Sequence, residues 1–325
     1  MLCTIQSQKF VAYNAHPLML KIGFAPVYVL KLPEGHRFPI SKYELLPEQL
    51  LYEGAATEEN FFEPTPVPEN IILLTHTAEY WQSLKNLTIG AKEMRKVGFP
   101  LSPMLIQRTV TISGATLKCI DYAQQFGVAM NIAGGTHHAF TDRGEGFCLL
   151  NDVAVAANYL MHNNLSKRIL VIDLDVHQGN GTAQIFQTNK FGWNGTEGVF
   201  TFSMHGANNY PLHKEHSHLD IGLADKTTDG FYLKVLEENL AMLIDVVQPE
   251  IAFFNSGVDV LETDKLGKLS LSLQGCKQRD ETVFKMCQKN KIPLVVSMGG
   301  GYSPKISTIL EAHANTFRLA QELYF

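Results

Sequence analysis

The chain has 325 residues, of which 45% are hydrophobic and 18% charged, and its formal net charge at pH 7 is −5. This composition is typical of a globular protein and excludes a largely disordered chain. The negative net charge gives no general attraction to nucleic acid or anionic lipid, and no apolar run is long enough to span a bilayer. We therefore expect neither direct nucleic-acid binding nor membrane insertion.

The cysteines do not form a disulfide framework. Their number is odd and no C-x-x-C pair occurs; they are Cys3, Cys119, Cys148, Cys276 and Cys287. The first residues also lack the apolar segment of a signal peptide. These features favour the reducing cytoplasm, and they leave the oligomeric state open.

In chain order, the first hundred residues are rich in proline, with short helices predicted at 42–52 and 79–86. From Arg108 onward, long helical patterns alternate with short apolar strands, which is typical of a parallel sheet covered on both faces. Helices are predicted at 153–163, 182–188 and about 229–247, with Asp229 as the N-cap of the last of these. Strands are predicted at 169–173 and 199–206, and two further strands are predicted to begin at residues 251 and 292. A final helix should follow, with Ser303 as N-cap and Pro304 at its first position. We expect one α/β domain over residues 1–325.

The most informative segment is 169–182, which reads ILVIDLDVHQGNGT. Residues two apart in a strand share a face, so Asp175 and His177 point the same way from the carboxyl end of a buried strand. Ligands of open α/β sheets bind at this edge. Taken alone, the segment is equally consistent with a metal site and with a solvated strand end or an aspartate that caps the next helix.

Other strands carry polar groups to the same edge, among them Asp259 and Tyr302. Asp175, His177 and Asp259 would give a metal ion two carboxylates and one imidazole, with positions left for water and substrate. Zn²⁺ is the first choice, and Fe²⁺ or Co²⁺ is possible. The sequence alone leaves open a capping role for Asp259 and a packing role for Tyr302.

The tandem His137-His138 follows Gly134-Gly135 and can reach this edge only if the backbone is not extended. Asp173 would then accept a hydrogen bond from His137, and Asn180 would do so from His138. A carboxylate raises the pKa of a histidine and a neutral amide does not, so His138 is the better general base. The phenol of Tyr302 could stabilise the oxygen that becomes negative in a tetrahedral intermediate.

Six motifs occur together in order and resemble the zinc-dependent histone deacetylase family. They are Gly134-Gly135-x-His137-His138, Gly146-Phe147-Cys148-x-x-Asn151-Asp152, Asp173-x-Asp175-x-His177-x-Gly179-Asn180-Gly181, Gly257-x-Asp259, Asp264-x-Leu266-Gly267 and Gly299-Gly300-Gly301-Tyr302. The resemblance covers about residues 16–315, including Gly35-His36-Arg37-Phe38-Pro39. The segment Thr141-Asp142-Arg143-Gly144 is most similar to the class IV-like, often bacterial, branch.

The resemblance implies an arginase-deacetylase α/β fold, with one eight-stranded parallel sheet and helices on both faces. It implies hydrolysis of N-ε-acyl-lysine in proteins or peptides, with the metal ligands and the roles of His137, His138, Asp173, Asn180 and Tyr302 described above. Further implied sites are a substrate tunnel (Gly146, Phe147, Tyr210), an internal product channel (Arg37) and a structural K⁺ site. The last would use the backbone carbonyls of Asp173, Asp175, His177 and Met204, with Ser203.

Two departures from the class I pattern matter. Asn180 replaces an aspartate, so the charge around His138 differs. The loop 96–102 lacks the aspartate that holds the substrate backbone, which makes a tight sequence preference doubtful. The main alternative function is an amidohydrolase of acetylpolyamines, which would need an acidic mouth; Glu145 and Asp142 make this possible. A binding module that keeps the pocket without catalysis is a second alternative.

Overall fold

The computed structural model describes residues 18–325, so Cys3 and the predicted start of the family resemblance near residue 16 lie outside the described residues. All pairings in the eight-stranded sheet are parallel, and the strand order is β2-β1-β3-β8-β7-β4-β5-β6. The strands are Lys21–Gly23 (β1), Phe61–Phe62 (β2), Val128–Asn131 (β3), Arg168–Asp173 (β4), Gly198–Gly206 (β5), Leu219–Leu223 (β6), Ile251–Asn255 (β7) and Leu294–Ser297 (β8).

Ten α-helices are found within residues 18–325. They are Lys42–Tyr52 (α1), Glu69–Ile72 (α2), Ala78–Lys85 (α3), Ala91–Val97 (α4), Pro103–Phe126 (α5), Asp152–His162 (α6), Asn180–Thr188 (α7), Asp229–Val247 (α8), Leu273–Lys289 (α9) and Ile306–Tyr324 (α10). None of these helices is both long and apolar enough to cross a membrane.

Helices cover the sheet on both faces because the central strands are apolar on both faces. On one face, Ile169 and Val171 of β4 pack in a cluster with α6 and α7. On the other, Leu170 and Ile172 belong to the cluster that contains α8, α9 and α10. The predicted parallel sheet with helices on both faces is confirmed.

Two predicted N-caps are wrong, by one and by two residues. Asp229 is the first residue of α8, after the N-cap Thr228, because its carboxylate accepts hydrogen bonds from Ser272 instead. The last helix begins at Ile306 rather than Pro304. The hydroxyl of Ser303 bonds to that of Thr263 at 2.8 Å and so does not cap the helix.

The carboxyl edge of the sheet ends in a row of polar side chains, which we call the polar row. The strand register places one polar residue beside the next across five adjacent strands. Its members, all buried, are Asn131, Ser297, Asn255, Asp173 and Ser203. The apolar sheet therefore changes to a polar layer at this edge, and the candidate site lies just beyond it.

Candidate active site

Three side chains of the types that bind metal ions converge beyond the ends of β4 and β7. The Nδ1 atom of His177 lies 3.0 Å from Asp175 Oδ1 and 3.2 Å from Asp259 Oδ2. One ligand atom from each residue lies within 4.8 Å of the others, and all three side chains are buried. Two carboxylates and one imidazole form a ligand set that leaves further coordination positions open, as in catalytic metal sites.

The surroundings of these side chains fit a cation. Asp259 Oδ1 accepts a hydrogen bond from the N–H of Val176 at 3.0 Å, whereas its buried Oδ2 has no hydrogen-bond partner among residues 18–325. Asp175 Oδ2 accepts from the N–H of Gly300 at 2.9 Å, and a methyl group on Gly300 would collide with both carboxylates. Because an uncompensated buried carboxylate is costly, these residues fit a divalent metal ion.

The two adjacent histidines reach the site because the backbone before them is not extended. Gly134 and Gly135 adopt positive φ angles of 85° and 66°. The rings of His137 and His138 are tilted by 46° to each other, with centroids 4.1 Å apart, and the ring of His138 lies 5.9 Å from that of His177. The predicted break from extended backbone is therefore observed.

The two histidines have different partners. The Nδ1 atom of His137 lies 2.6 Å from Asp173 Oδ2, and the Nδ1 atom of His138 lies 2.6 Å from Asn180 Oδ1. Burial lowers the pKa of His137, but Asp173 and Asp175 outweigh it and raise the pKa to about 9. Burial and the neighbouring imidazoles hold the pKa of His138 well below its usual range. The contrast expected from the carboxylate and the amide is present in the structure.

Tyr302 faces this group from the glycine turn after β8. Its backbone N–H donates to Asp264 Oδ2 at 2.6 Å, and its ring lies 6.5 Å from that of His177. The ring also packs near Phe38 and Phe147. Burial and the nearby carboxylates raise the pKa of the phenol well above its usual value, so the hydroxyl stays protonated and remains a hydrogen-bond donor.

An outer cavity of about 460 Å³ leads to these groups. Its lining includes the polar residues His138, His177 and Tyr302, the predicted tunnel residues Gly146, Phe147 and Tyr210, and the charged residues Arg37, Lys96 and Glu145. The cavity thus brings together the predicted tunnel and part of the predicted catalytic group. A smaller inner cavity of about 40 Å³ shares His138, His177 and Tyr302 with it and extends to Tyr43 and Arg108.

The family model of the histone deacetylase domain matches residues 36–317. The chain belongs to the histone deacetylase family. An uncharacterized protein of Picosynechococcus is 38% identical to this family member over 303 residues, which cover 93% of this chain and 99% of the relative. Histone deacetylase 2 of Arabidopsis thaliana is 30% identical and aligns with 85% of this chain and 72% of its own length.

A solved structure supports the same assignment. The crystal structure of a histone deacetylase homologue from Aquifex aeolicus aligns with a TM-score of 0.76 and 25% identity, covering 92% of this chain and 83% of that one. The chain is therefore a hydrolase of the histone deacetylase family with the fold that the sequence resemblance implied.

One predicted site residue of this family member lies elsewhere. Arg37 was expected in an internal product channel, but it is exposed at the outer cavity, with its guanidinium carbon 4.9 Å from the ring centroid of Phe147. The neighbouring Phe38 is the buried side chain of this segment, and a product-channel role for Arg37 stays a prediction. The buried cations near the inner end of the site are instead Arg108 and Lys42.

Those two buried cations are held by backbone carbonyl groups. The Nζ atom of Lys42 donates to Gly299 O at 3.0 Å, and Nε of Arg108 donates to Tyr28 O at 2.8 Å. Burial lowers the pKa of Lys42 to about 8. Neither residue was singled out from the sequence, because a lysine at a helix start is normally a surface residue.

Two further polar residues support the segment of the histidine pair: Asn255, which the sequence does not single out, and Asp152, which belongs to a family motif but has no role assigned from sequence. Asn255 Nδ2 donates to Asp173 Oδ1 at 3.0 Å and lies 3.2 Å from His137 Nδ1. Asp152 accepts hydrogen bonds from the backbone and hydroxyl of Thr136, at 2.8 and 2.6 Å. A polar residue at the end of each apolar strand was the signal that could have identified Asn255.

Proposed function

We propose that this family member hydrolyses the amide bond of N-ε-acyl-lysine in proteins or peptides. The observation that carries the proposal is the buried group of Asp175, His177 and Asp259 beside two histidines with different partners. His177 lines the outer cavity, and Asp175 and His177 line the inner one. A cavity lined by Phe147 and Tyr210 suits an elongated, uncharged acyl-lysine side chain. Cytoplasmic residence, expected from the cysteines, belongs to the same proposal.

Asp175, His177 and Asp259 would hold Zn²⁺, with Fe²⁺ or Co²⁺ as alternatives. When bound, the cation supplies Lewis acidity to the acyl carbonyl and lowers the pKa of a nearby water. The backbone carbonyls of Asp173, Asp175, His177 and Met204, with Ser203, would hold K⁺. Asp173 and Ser203 are register neighbours in β4 and β5, which supports this second assignment.

His138 is the proposed general base. Its Nδ1–H donates to Asn180 Oδ1, so the lone pair of Nε2 is free to accept a proton from the attacking water. Because Asn180 is neutral, it orients the ring without favouring the imidazolium form. His137, paired with the carboxylate of Asp173, would remain cationic and stabilise negative charge in the transition state.

Tyr302 is the proposed donor to the developing oxyanion. As the water oxygen bonds to the acyl carbon, the carbonyl oxygen becomes negative and accepts a hydrogen bond from the phenol. The carbon–nitrogen bond then breaks. A histidine returns a proton to the leaving lysine amine, because an unprotonated amine anion leaves poorly. The products are a free lysine side chain and a carboxylate.

The mouth of the cavity argues against the acetylpolyamine alternative. A second amine would need a free acid there, but Glu145 accepts from the hydroxyl of Tyr210 at 2.7 Å and from Nε of Arg143 at 3.1 Å. Arg37 and Lys96 line the same cavity and would repel a polyamine.

The test is amine release from fluorogenic peptides whose lysine carries acyl groups of increasing length, with and without a metal chelator. We expect turnover that the chelator abolishes and added Zn²⁺ restores, and the series would rank the acyl groups. If no peptide is hydrolysed but acetylpolyamines are, the acetylpolyamine amidohydrolase function replaces the proposal. If neither class of substrate is hydrolysed, the result favours a binding module without catalytic activity.

Two variants test the assigned roles. We expect His138→Ala and Tyr302→Phe each to lower kcat by roughly 10²- to 10³-fold while the metal is retained. His162→Ala and Tyr52→Phe are matched controls at exposed positions and should keep wild-type turnover. Wild-type turnover in either of the first two variants would show that its role is misassigned.

A further inference from the structure

Two basic side chains stand at the entrance of the outer cavity, and we call this pair the cationic lip. Arg37 and Lys96 are both exposed and both line the cavity. Neither forms a salt bridge with an acid in the part of the chain that the structure describes. The lip is therefore positive at the entrance, although the whole chain carries a net charge of −5.

The backbone around Lys96 is bonded to the tunnel wall. The carbonyl of Lys96 accepts from the N–H of Gly146 at 3.0 Å, and that of Val97 accepts from the N–H of Phe147 at 2.7 Å. Helix α4 ends there at Gly98, which has a φ of 85° and lies against the Phe147 ring. Lys96 consequently has a defined position relative to the tunnel and is not an arbitrary surface lysine.

Arg37 is held against the same wall from the other side. Its guanidinium carbon lies 4.9 Å from the centroid of Phe147, within the range of a cation–π contact. The preceding His36 is hydrogen-bonded through Nε2 to the carbonyl of Gly98 at 2.9 Å, which links the two segments. The guanidinium of Arg37 and the backbone of Lys96 are thus both held near one tunnel residue, Phe147.

Two acids of the site, Glu145 in the cavity wall and Asp264 beside Tyr302, have hydrogen-bond partners of their own. Glu145 is bonded to Tyr210 and Arg143. Asp264 accepts from the backbone N–H groups of Leu266 and Gly267 through Oδ1 and of Tyr302 through Oδ2. Neither carboxylate is paired with Arg37 or Lys96, so both cations can pair with an acidic group of a bound molecule.

We propose that Arg37 and Lys96 select substrates that carry an acidic side chain next to the acyl-lysine. The inference rests on the proposed function, because only a lysine side chain inserted into the cavity puts its neighbours in the peptide at the lip. Acylation removes the charge of that lysine, so the charge of the peptide next to the lip is determined by the side chains that flank the acyl-lysine. The guanidinium of Arg37 can bind a carboxylate through two hydrogen bonds, and Lys96 adds a second charge.

The experiment compares three peptides that differ only in the two residues flanking the acyl-lysine, which are Glu, Gln or Lys. Hydrolysis is measured as kcat/KM, and binding is measured independently by fluorescence anisotropy of the same labelled peptides. We expect the Glu peptide to exceed the Gln peptide by about fivefold and the Lys peptide by more, mainly through KM, as for two partly exposed charge pairs. Salt near 1 M should remove most of the preference.

Variants of the lip identify its source. Arg37→Gln with Lys96→Gln should abolish the preference, and the double change to Glu should reverse it in favour of the Lys peptide. Lys92→Gln, an exposed lysine on the same helix that does not line the cavity, should leave the preference as in the wild type. A preference that survives in the double Gln variant, or that is absent from the wild type, would overturn the inference.

The two proposals fail in different ways. Equal hydrolysis and equal binding of all three peptides would leave the proposed function standing and overturn the role of the lip. Failure to hydrolyse any acyl-lysine peptide would overturn the proposed function. In that case, binding that still followed the flanking charge and was lost in the double Gln variant would support the lip alone.

Discussion

The inner and outer ends of the site are built differently. The inner end, which we call the floor, consists of Asp175, His177, Asp259 and the two adjacent histidines; all are buried, and they follow the carboxyl ends of sheet strands. The outer end is the cationic lip with Tyr210 and Glu145, which come from four separate segments. Residues positioned by the sheet are suited to catalysing one reaction, because the sheet holds them rigidly. Residues on loops are suited to substrate specificity, which can vary as loops vary.

The difference is also energetic. Charges on the floor interact in a medium of low dielectric constant, where an unpaired charge is costly. Charges at the lip are surrounded by water and screened by salt, so each contributes little. Substitutions should therefore abolish function or folding at the floor and only tune it at the lip.

The largest effect should follow removal of one floor carboxylate. On the proposed assignment, Asp259→Asn removes a negatively charged metal ligand, and we expect metal content to fall and turnover to drop by about 10³-fold or more. Metal is measured by mass spectrometry of the purified protein and turnover by amine release. Asp121→Asn, an exposed control, should change neither. Full metal content with undiminished turnover in Asp259→Asn would remove this residue from the site.

The next effect concerns the support beneath the floor. Arg279 is fully buried, pairs with Asp280 at 2.7 Å, and donates to the carbonyls of Leu174 and Gly257, close in sequence to the proposed metal ligands Asp175 and Asp259. Arg279→Met leaves a buried carboxylate without its partner, and we expect a loss of about 3–5 kcal/mol in the free energy of unfolding. Urea denaturation measures this loss.

The matched control for this change is Lys285→Met, which removes an exposed ion pair with Glu281. It should cost less than about 0.5 kcal/mol. Similar losses in the two variants would show that the buried pair gives the floor no particular support.

A pH-dependent effect of intermediate size should come from His76. This buried ring contacts Phe140 O through Nδ1 at 2.9 Å and accepts from the N–H of Asn151, and burial lowers its pKa to about 4. Below about pH 6.5 the His76 imidazole therefore binds a proton in the unfolded chain but not in the folded one. The free energy of unfolding consequently falls as the pH falls. At about pH 5 the loss should be roughly 2 kcal/mol.

Urea midpoints between pH 7 and 5, compared for the wild type and His76→Gln, measure this contribution. The variant should lose part of the wild-type slope, whereas His162→Gln, at an exposed position, should retain all of it. Identical slopes in the wild type and His76→Gln would mean that His76 keeps an ordinary pKa in the folded protein.

Part of the floor could be predicted from sequence because the carboxyl ends of parallel strands share one edge. This rule brings Asp175, His177 and Asp259 to the same edge of the sheet. Strand alternation does not act on Asp175 and His177, because β4 ends at Asp173 and both residues lie in the bend that follows. The rule of the shared edge does not identify Asn255, whose role depends on the register between β4 and β7.

The lip could not be predicted, because its residues lie far apart in sequence and meet only through loop conformations. Arg37 illustrates the difficulty, since the neighbouring Phe38 is the buried side chain of its segment. Local signals also failed where a tertiary bond replaced a local one, as when Ser303 bonded to Thr263 instead of capping α10. Prediction from one sequence therefore succeeds where the sheet determines geometry and fails where contacts between loops do.

The smallest predicted effect concerns Tyr210, at the outer end of the site beside the cationic lip, and it sharpens the contrast with the floor. Tyr210 donates its hydroxyl to Glu145 at 2.7 Å, and its ring lies 5.0 Å from that of His138. Tyr210→Phe keeps the ring and removes one partly exposed hydrogen bond, worth about 1 kcal/mol, so KM should rise roughly fivefold with kcat nearly unchanged. Steady-state kinetics on the best peptide separate the two constants. A fall in kcat comparable with that of Tyr302→Phe would place Tyr210 in the chemical step. Tyr210 would then act in catalysis like the residues of the floor, although it lies at the outer end of the site.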